Sequence, residues 1–597
     1  MKEKHFSLIK TFPLPKETIW SLLANNDHLN RMIGLFPVEF TKALFDDRLF
    51  YRHAKAKAAG VVPLSWKEYP FEWVKEERYV VQRVYTSGPL AEFNGGIELK
   101  DVSSPGNPAT EVHVFSVFRP ANALGKLALP VIALPAMKKT LSYIEKFINL
   151  HPSRIVTLPQ PAMRSTANKQ TLDNLLDKLP TSTLRDCLKE HLIQGADHTV
   201  LSMQPYKLAD QWQEDREDVL HLFLEATKAG VLNLTWSLMC PNCRVAKEKE
   251  SSLSQVKNEI HCDLCGISYQ MTFDQSIELR FTVHPSIRKA VDQTYCIGGP
   301  ILTPHILIQK RIAAGSTMHI PSLPMNEQLQ LRILSSNHSA KINQRASHEI
   351  TYGENGLMGE TFSLHNATFH NESENDIVLV IEEVKRDHYA VTAAKVTTME
   401  PFRRLFSSEV LAKGQEIGIE NVTILFSDLR GSTSLYEVAG DANAYRQVND
   451  HFEFLSKWIT RHNGSIIKTI GDSVMACFYA PEDALKAALS IQQSVESFNQ
   501  SNQTNLIIKL GMYNGPAIAV TANNQLDYFG HTVNLAARIE QESKGSDVIL
   551  PAEMLARPQL AQLIEPYPIT TYEAKLNGIQ AVIPLVRVEP LKITSYA

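Results

Sequence analysis

The stretch VTILFSDLRGST, residues 422–433, constrains this chain more than any other. Ile424, Leu425 and Phe426 read as a buried strand, and the strand runs into Asp428. A turn rich in Gly431, Ser432 and Thr433 follows. Successive turn amides make a concavity suited to an anion, so a carboxylate at that point sits where a metal–phosphate group fits. On its own the residue also reads as a solvated turn aspartate, the usual fate of Asp beside Gly.

The residues further on decide between these readings. In IIKTIGDSVMACF (466–478), strand, Gly471, Asp472 and strand again predict a hairpin with its acid at the tip. Two carboxylates meeting at adjacent strand ends suit a pair of Mg²⁺ or Mn²⁺ ions. Lys468 stands four residues before Asp472, and Asp527 lies in LDYFGHTVNLAARIE. Asn534 and Arg538, four apart, share one face of a predicted helix that opens after Gly530.

With these motifs in view, residues 420–597 resemble the catalytic domain of the class III nucleotidyl cyclases. The stretches that carry the resemblance are VTILFSDLRGST, HNGSIIKTIGDSVMACF, IIKLGMYNGPAIA and YFGHTVNLAARI. It implies a ferredoxin-like fold, a mostly antiparallel sheet flanked by helices. It implies that Asp428, Asp472 and the carbonyl of Leu429 hold two Mg²⁺ or Mn²⁺ ions, and that the turn 429–433, with Gly431, Ser432 and Thr433, receives the β- and γ-phosphates. Lys468 and Asp527 resemble the pair that reads the purine edge, in the donor–acceptor sense complementary to adenine. Asn534 is expected to orient the ribose and Arg538 to stabilise charge on the α-phosphate. The activity implied is that of an adenylate cyclase, a lyase making cyclic AMP and pyrophosphate from ATP. The site is expected to form between two copies of the domain, so a homodimer follows. The family's phosphate lysine, in a Leu-Lys-Gly-like turn, meets Asn577 here in KLNGI (575–579), and Lys575 is the nearest substitute. His531 is expected to be structural. The alternative is a catalytically silent nucleotide-binding or ligand-sensing scaffold, expected to have lost at least one of these polar positions.

A chain of 597 residues holds more than one core, and the reading is a multidomain α+β protein. Residues 1–150 resemble a helix-grip (START-like) domain, with antiparallel strands closed by an amphipathic helix over 133–151. Its expected content is an apolar ligand, with a packing or protein-interaction role as the alternative. Residues 151–235 are predicted to be helical, with Gly230 as a C-cap. Residues 236–285 hold CPNC and CDLC with 18 residues between the pairs. Cys240, Cys243, Cys262 and Cys265 therefore form a zinc-ribbon-like module holding structural Zn²⁺, or else a redox-active or vestigial site. Residues 286–398 offer short strands of a sandwich, and 399–419 a linker with a helix across 401–414.

The net charge of −4 carries no nucleic-acid footprint. Residues 123–137 form the longest apolar stretch; it contains Lys126, Pro130 and Pro135 and reads as too short for a membrane span. The N-terminus lacks the apolar core of a signal peptide, which leads to a cytoplasmic expectation.

Overall fold

A computed structural model describes the chain except residues 1, 46–48, 59–60, 151–164, 263–264, 292, 322, 324–327, 335, 337, 385–386, 432–440 and 591–597. Near the N-terminus, Thr110–Pro120 alternates between buried and part-exposed positions along its length, as a strand with one covered face must. It lies between Lys4–Phe12 and Leu90–Asp101, and the order continues through Arg78–Ser87 to the three-residue strand Glu72–Val74. There the sheet does not end. Trp73 and Val74 pair with Gln309 and Ile308, so the strands of 306–383 extend the same sheet to thirteen strands. The Trp73 indole donates to the carbonyl of Ile306 at 3.1 Å, and Gln309 Nε2 donates to the carbonyl of Phe71 at 2.6 Å. Segments 1–150 and 286–398, read separately from sequence, are thus stitched edge to edge. A second sheet of four strands, from Thr317–His319 to Thr368–Asn371, packs its Ile350 and Phe369 against Leu331 and Leu379 of the large one.

One expectation for this region needs correction. The apolar stretch 123–137 continues through Pro130 and Pro135 into one helix, Ala123–Leu150. Its segment Gly125–Asn149 is long and apolar enough to cross a membrane by length and composition, although Leu129, Met137, Leu141 and Ile144 are buried in the protein. Trp20, Tyr79, Ile97 and Val112 share one buried apolar cluster with Met137, Leu141 and Ile144 of that helix. A cleft of about 1610 Å³ lies between the strands around Phe40 and Ala56 and the first cysteine pair. Arg52, Lys55, Lys57 and Lys247 line it together with Val38 and Phe40, so its wall is basic as well as apolar.

Four helices, Lys169–Leu176, Thr183–Gln194, Pro205–Trp212 and Arg216–Lys228, follow. Asn168, Ser182 and Asp215 cap three of them by accepting first-turn amides. Gly230, at φ +85°, ends the last, as its position predicts. They pack on a three-stranded sheet centred on Leu232–Met239.

The C-terminal sheet has eight strands, in the order Ser465–Ile470, Ser473–Phe478, Ile417–Leu429, Ile508–Ala522, Val548–Pro551, Val582–Val588 and Ile569–Lys575, with Gln525–Phe529 paired to Ile508–Ala522. The helices Asp441–Arg461, Pro481–Asn502 and Pro558–Ile564 bury one face through Leu425, Val474, Ala476 and Leu510. The opposite face presents Ile424, Phe426, Met475, Cys477, Ala519 and Tyr528. It is covered by the helix His531–Gln541 and by the upstream module, because one apolar cluster runs from Phe223 and Trp236 through Phe402 to Met475 and Tyr528.

The linker helix expected over 401–414 is only Glu400–Leu405. Beyond it the Glu409 carboxylate accepts from the Trp236 indole and from the Leu253 amide, both at 2.9 Å. Those bonds hold the chain against the module instead of letting the helix continue.

Candidate active site

Asp428 is the penultimate residue of Ile417–Leu429, on the same face as Ile424 and Phe426. The hairpin predicted around Gly471 and Asp472 is present, joining Ser465–Ile470 to Ser473–Phe478, with Gly471 at φ +65°. Ser473 donates from Oγ to Asp428 Oδ1 at 2.6 Å, which ties the two acidic strand ends together. Asp472 Oδ2 is buried and has no hydrogen-bond donor among the described residues. An orphaned buried carboxylate oxygen is costly, and beside a second carboxylate it fits a cation ligand.

Lys509 faces Asp428 in the strand register, and its Nζ lies 3.8 Å from both Asp428 Oδ2 and Glu540 Oε1. Gly511 makes that arrangement. A Cβ there would lie 2.2 Å from the Glu540 amide nitrogen, so only glycine lets the helix His531–Gln541 rest on the sheet. Burial first, then the Asp428 charge, push the Glu540 carboxyl up to about 7, against the pull of Lys509. His451, fully buried, is pushed down to about 4 by burial, against the charge of Asp428. Sequence reasoning missed Lys509, Glu540 and His451. The in-phase spacing of Lys509 and Gly511 was the one signal available.

Gly431 stands at φ +77°, consistent with a turn after the strand, and the Leu429 side chain is buried. Ser432 and Thr433 lie outside the described residues.

Elsewhere on the sheet, Lys468 Nζ donates to Asp527 Oδ2 at 2.6 Å. Asp527 Oδ1 accepts the Tyr528 amide at 2.8 Å. Asn534 and Arg538 fall on one helix, as expected; Asn534 is exposed and Arg538 donates to Gln541 Oε1 at 3.2 Å. His531 is the first, exposed residue of that helix. Lys575 ends its strand exposed. Among the described residues, hydrogen bonds and ion pairs gather Asp428 with Ser473 and Lys509, and Lys468 with Asp527, but none links the two sets within the chain.

The four cysteines do converge. Their sulfurs all lie within 4.8 Å of one another, and all four side chains are buried. Cys240 and Cys265 are 3.8 Å apart, as are Cys243 and Cys262. Sulfurs at zinc-bond length around a tetrahedral centre are separated by about 3.8 Å. Arg332 donates to Cys265 Sγ at 3.7 Å and is paired with the buried Glu382 at 3.0 Å. His305 donates from Nε2 to the carbonyl of Asn242 at 3.0 Å. The residues present fit a structural metal ion, locked to the large sheet by buried polar contacts.

Residues 415–565 match the family described as adenylate and guanylate cyclase catalytic domain. Residues 166–335 match a family of unknown function, DUF5939, which spans the helices, the cysteine module and the first strands after them. Adenylate cyclase 1 of Rhizobium meliloti is 26% identical over 254 residues, covering 38% of this chain and 37% of that protein. The adenylate cyclase of Anabaena cylindrica is 32% identical over 171 residues, covering 25% and 34%. Guanylate cyclase 2G of Mus musculus is 25% identical over 185 residues, covering 28% and 17%. The chain thus spans between 17% and 37% of the length of these relatives. Among solved structures, the adenylyl cyclase CyaB from P. aeruginosa aligns at 21% identity and a TM-score of 0.27, covering 30% of this chain and 98% of that one. Residues 415–565 therefore belong to the class III adenylate and guanylate cyclase catalytic domain family.

Proposed function

We propose that this chain is an adenylate cyclase, converting ATP to 3′,5′-cyclic AMP and pyrophosphate. The observation that carries the reading is the Lys468–Asp527 pair, held at 2.6 Å in a domain that also keeps Asp428, Asp472, Asn534 and Arg538. A lysine donor beside an aspartate acceptor complements the ring nitrogen and exocyclic amine of adenine. Relatives named for both adenylate and guanylate cyclases occur, so the choice of base rests on this pair.

The ribose 3′-hydroxyl releases its proton to water as its oxygen bonds to the α-phosphorus and the bond to pyrophosphate breaks. Asp428, Asp472 and the carbonyl of Leu429 hold Mg²⁺ or Mn²⁺, which when bound supplies Lewis-acid stabilisation of phosphate charge. Lys509, beside Asp428, adds a fixed positive charge on the triphosphate side, and the turn around Gly431, Ser432 and Thr433 takes phosphate oxygens. Asn534 orients the ribose, Arg538 neutralises charge on the α-phosphate, and Lys575 is the remaining cation for the triphosphate. Positioning supplies most of the rate, since both reacting groups belong to one substrate.

Because the acid set and the base set are not joined within one chain, the reading calls for a homodimer in which each copy's acids face the other's Lys468, Asp527, Asn534 and Arg538. Cys240, Cys243, Cys262 and Cys265 hold structural Zn²⁺. The test is product formation by the purified chain from ATP and from GTP, each with Mg²⁺ and Mn²⁺. Mixing Asp428→Ala with Arg538→Ala protein is expected to restore activity by rebuilding one intact site per heterodimer. No recovery from two folded variants excludes the shared site.

A further inference from the structure

Asp527 hangs between two anchor points, and both belong to the linker upstream of the catalytic sheet, which in the structure starts near Val391 and not at 399. On one side Arg403 donates from Nη2 to the carbonyl of Leu526 at 2.6 Å and from Nη1 to the carbonyl of Thr397 at 3.3 Å. On the other side the buried Tyr528 hydroxyl donates to Thr397 Oγ1 at 3.0 Å. Thr397 is itself fixed: it is fully buried and its hydroxyl donates to the carbonyl of Ala393 at 2.6 Å. The strand Gln525–Phe529 pairs only with Ile508–Ala522 among the described strands. Its other edge has no ladder to fix it, so the linker contacts take that role.

The linker in turn is bound to the upstream module. The Leu279 amide donates to the carbonyl of Val391 at 2.8 Å, and the Ala394 amide to that of Phe273 at 3.0 Å. Phe402, in the same short helix as Arg403, meets Trp236 edge-on at 5.9 Å between centroids. A continuous path of hydrogen bonds and packed rings therefore runs from the module at 166–290 to the two residues that flank the base-reading acid.

We propose that Arg403 and Thr397 are positioning residues for nucleobase recognition: the linker sets where the Asp527 carboxylate stands relative to Lys468, and thereby how well adenine is told from guanine. The inference rests on the cyclase reading of the site and names a control over its specificity. A planar guanidinium that bridges two carbonyls fixes direction as well as distance, which a lysine ammonium does not. Base discrimination by a donor–acceptor pair is sensitive to displacements well below a bond length, because a misplaced acceptor leaves a buried polar group unpaired.

The test uses the full chain and the variants Arg403→Met, Arg403→Lys and Thr397→Val. ATP and GTP affinities are read by isothermal titration calorimetry, cyclic nucleotide formation by product assay, and folding by thermal unfolding. Arg403→Met and Thr397→Val are expected to weaken ATP binding about tenfold and GTP binding far less, while kcat at saturating ATP stays within about twofold. Arg403→Lys is expected to recover only part of the ATP preference. An equal loss for both nucleotides, or an unchanged ratio in folded Thr397→Val protein, overturns the proposal. Should Arg403→Met fail to fold, the near-isosteric Thr397→Val decides alone. A wild-type chain that binds ATP yet forms no cyclic product removes the cyclase reading, and the binding ratio then still tests the linker's role. Failure to bind either nucleotide overturns both.

Discussion

The thiols at 240–265 and the carboxylates at 428 and 472 are both fit to hold metal, but they differ in how they are closed. Four sulfurs point at one centre, all buried, and their surroundings are filled by Arg332, Glu382 and apolar side chains. That is the closed donor set of a structural ion. Asp428 and Asp472 sit only partly covered at a sheet end, and one oxygen of Asp472 lacks a donor. Two carboxylates leave coordination positions for a substrate and for water. One site should therefore govern whether the module folds, the other whether the chain turns over.

The largest effect expected from breaking this division is at the thiolates. Cys262→Ser, or a strong chelator, should cost on the order of 10 kcal/mol of metal-linked folding energy in the module. Zinc content and circular dichroism would check it, and full stability without metal would contradict the structural role. Next, Asp428→Ala is expected to lower cyclic nucleotide formation by roughly 10³-fold with no change in Tm, as loss of a catalytic metal ligand implies. A parallel fall in Tm would move Asp428 into the structural class.

Gly511→Ala should cost about 1–3 kcal/mol and reduce activity. It forces the helix that carries Asn534, Arg538 and Glu540 off the sheet, and urea unfolding with kinetics reads both effects. The smallest effect is a pH slope. Burial beside Arg244 holds His305 at about 4, below its unfolded value of 6.5. The folded state is thus neutral at that position where the unfolded state takes up a proton. Stability from this group is fully present above pH 6.5 and is lost as pH falls toward 4, by at most about 1.4 kcal/mol per pH unit. His305→Gln should flatten that part of a Tm–pH curve, and an unchanged curve would exclude His305 as its source.

Parts of this were legible from residue order alone, because local chemistry sets them. Gly471 fixes a tight hairpin, the 3.6-residue period puts Asn534 and Arg538 on one face, and two CxxC pairs leave sulfur little choice of partner. The rest depends on contacts between distant segments. Lys509 and Glu540 meet only because Gly511 lets a helix touch a strand. The linker helix stops at Leu405 because Glu409 is claimed by Trp236 and Leu253, far upstream. The joining strand Glu72–Val74 is three residues long, too few to show a period.

That joining strand has a consequence for synthesis. Ribosomes deliver residues 72–74 long before 306–312, so the nascent N-terminal sheet presents an unpaired edge while more than two hundred further residues are made. Fragments that stop between 150 and 300 keep that edge permanently open and should self-associate. A soluble piece of the N-terminal half is best sought with its closing strand supplied, as a longer chain or as an added peptide carrying ILIQKRI.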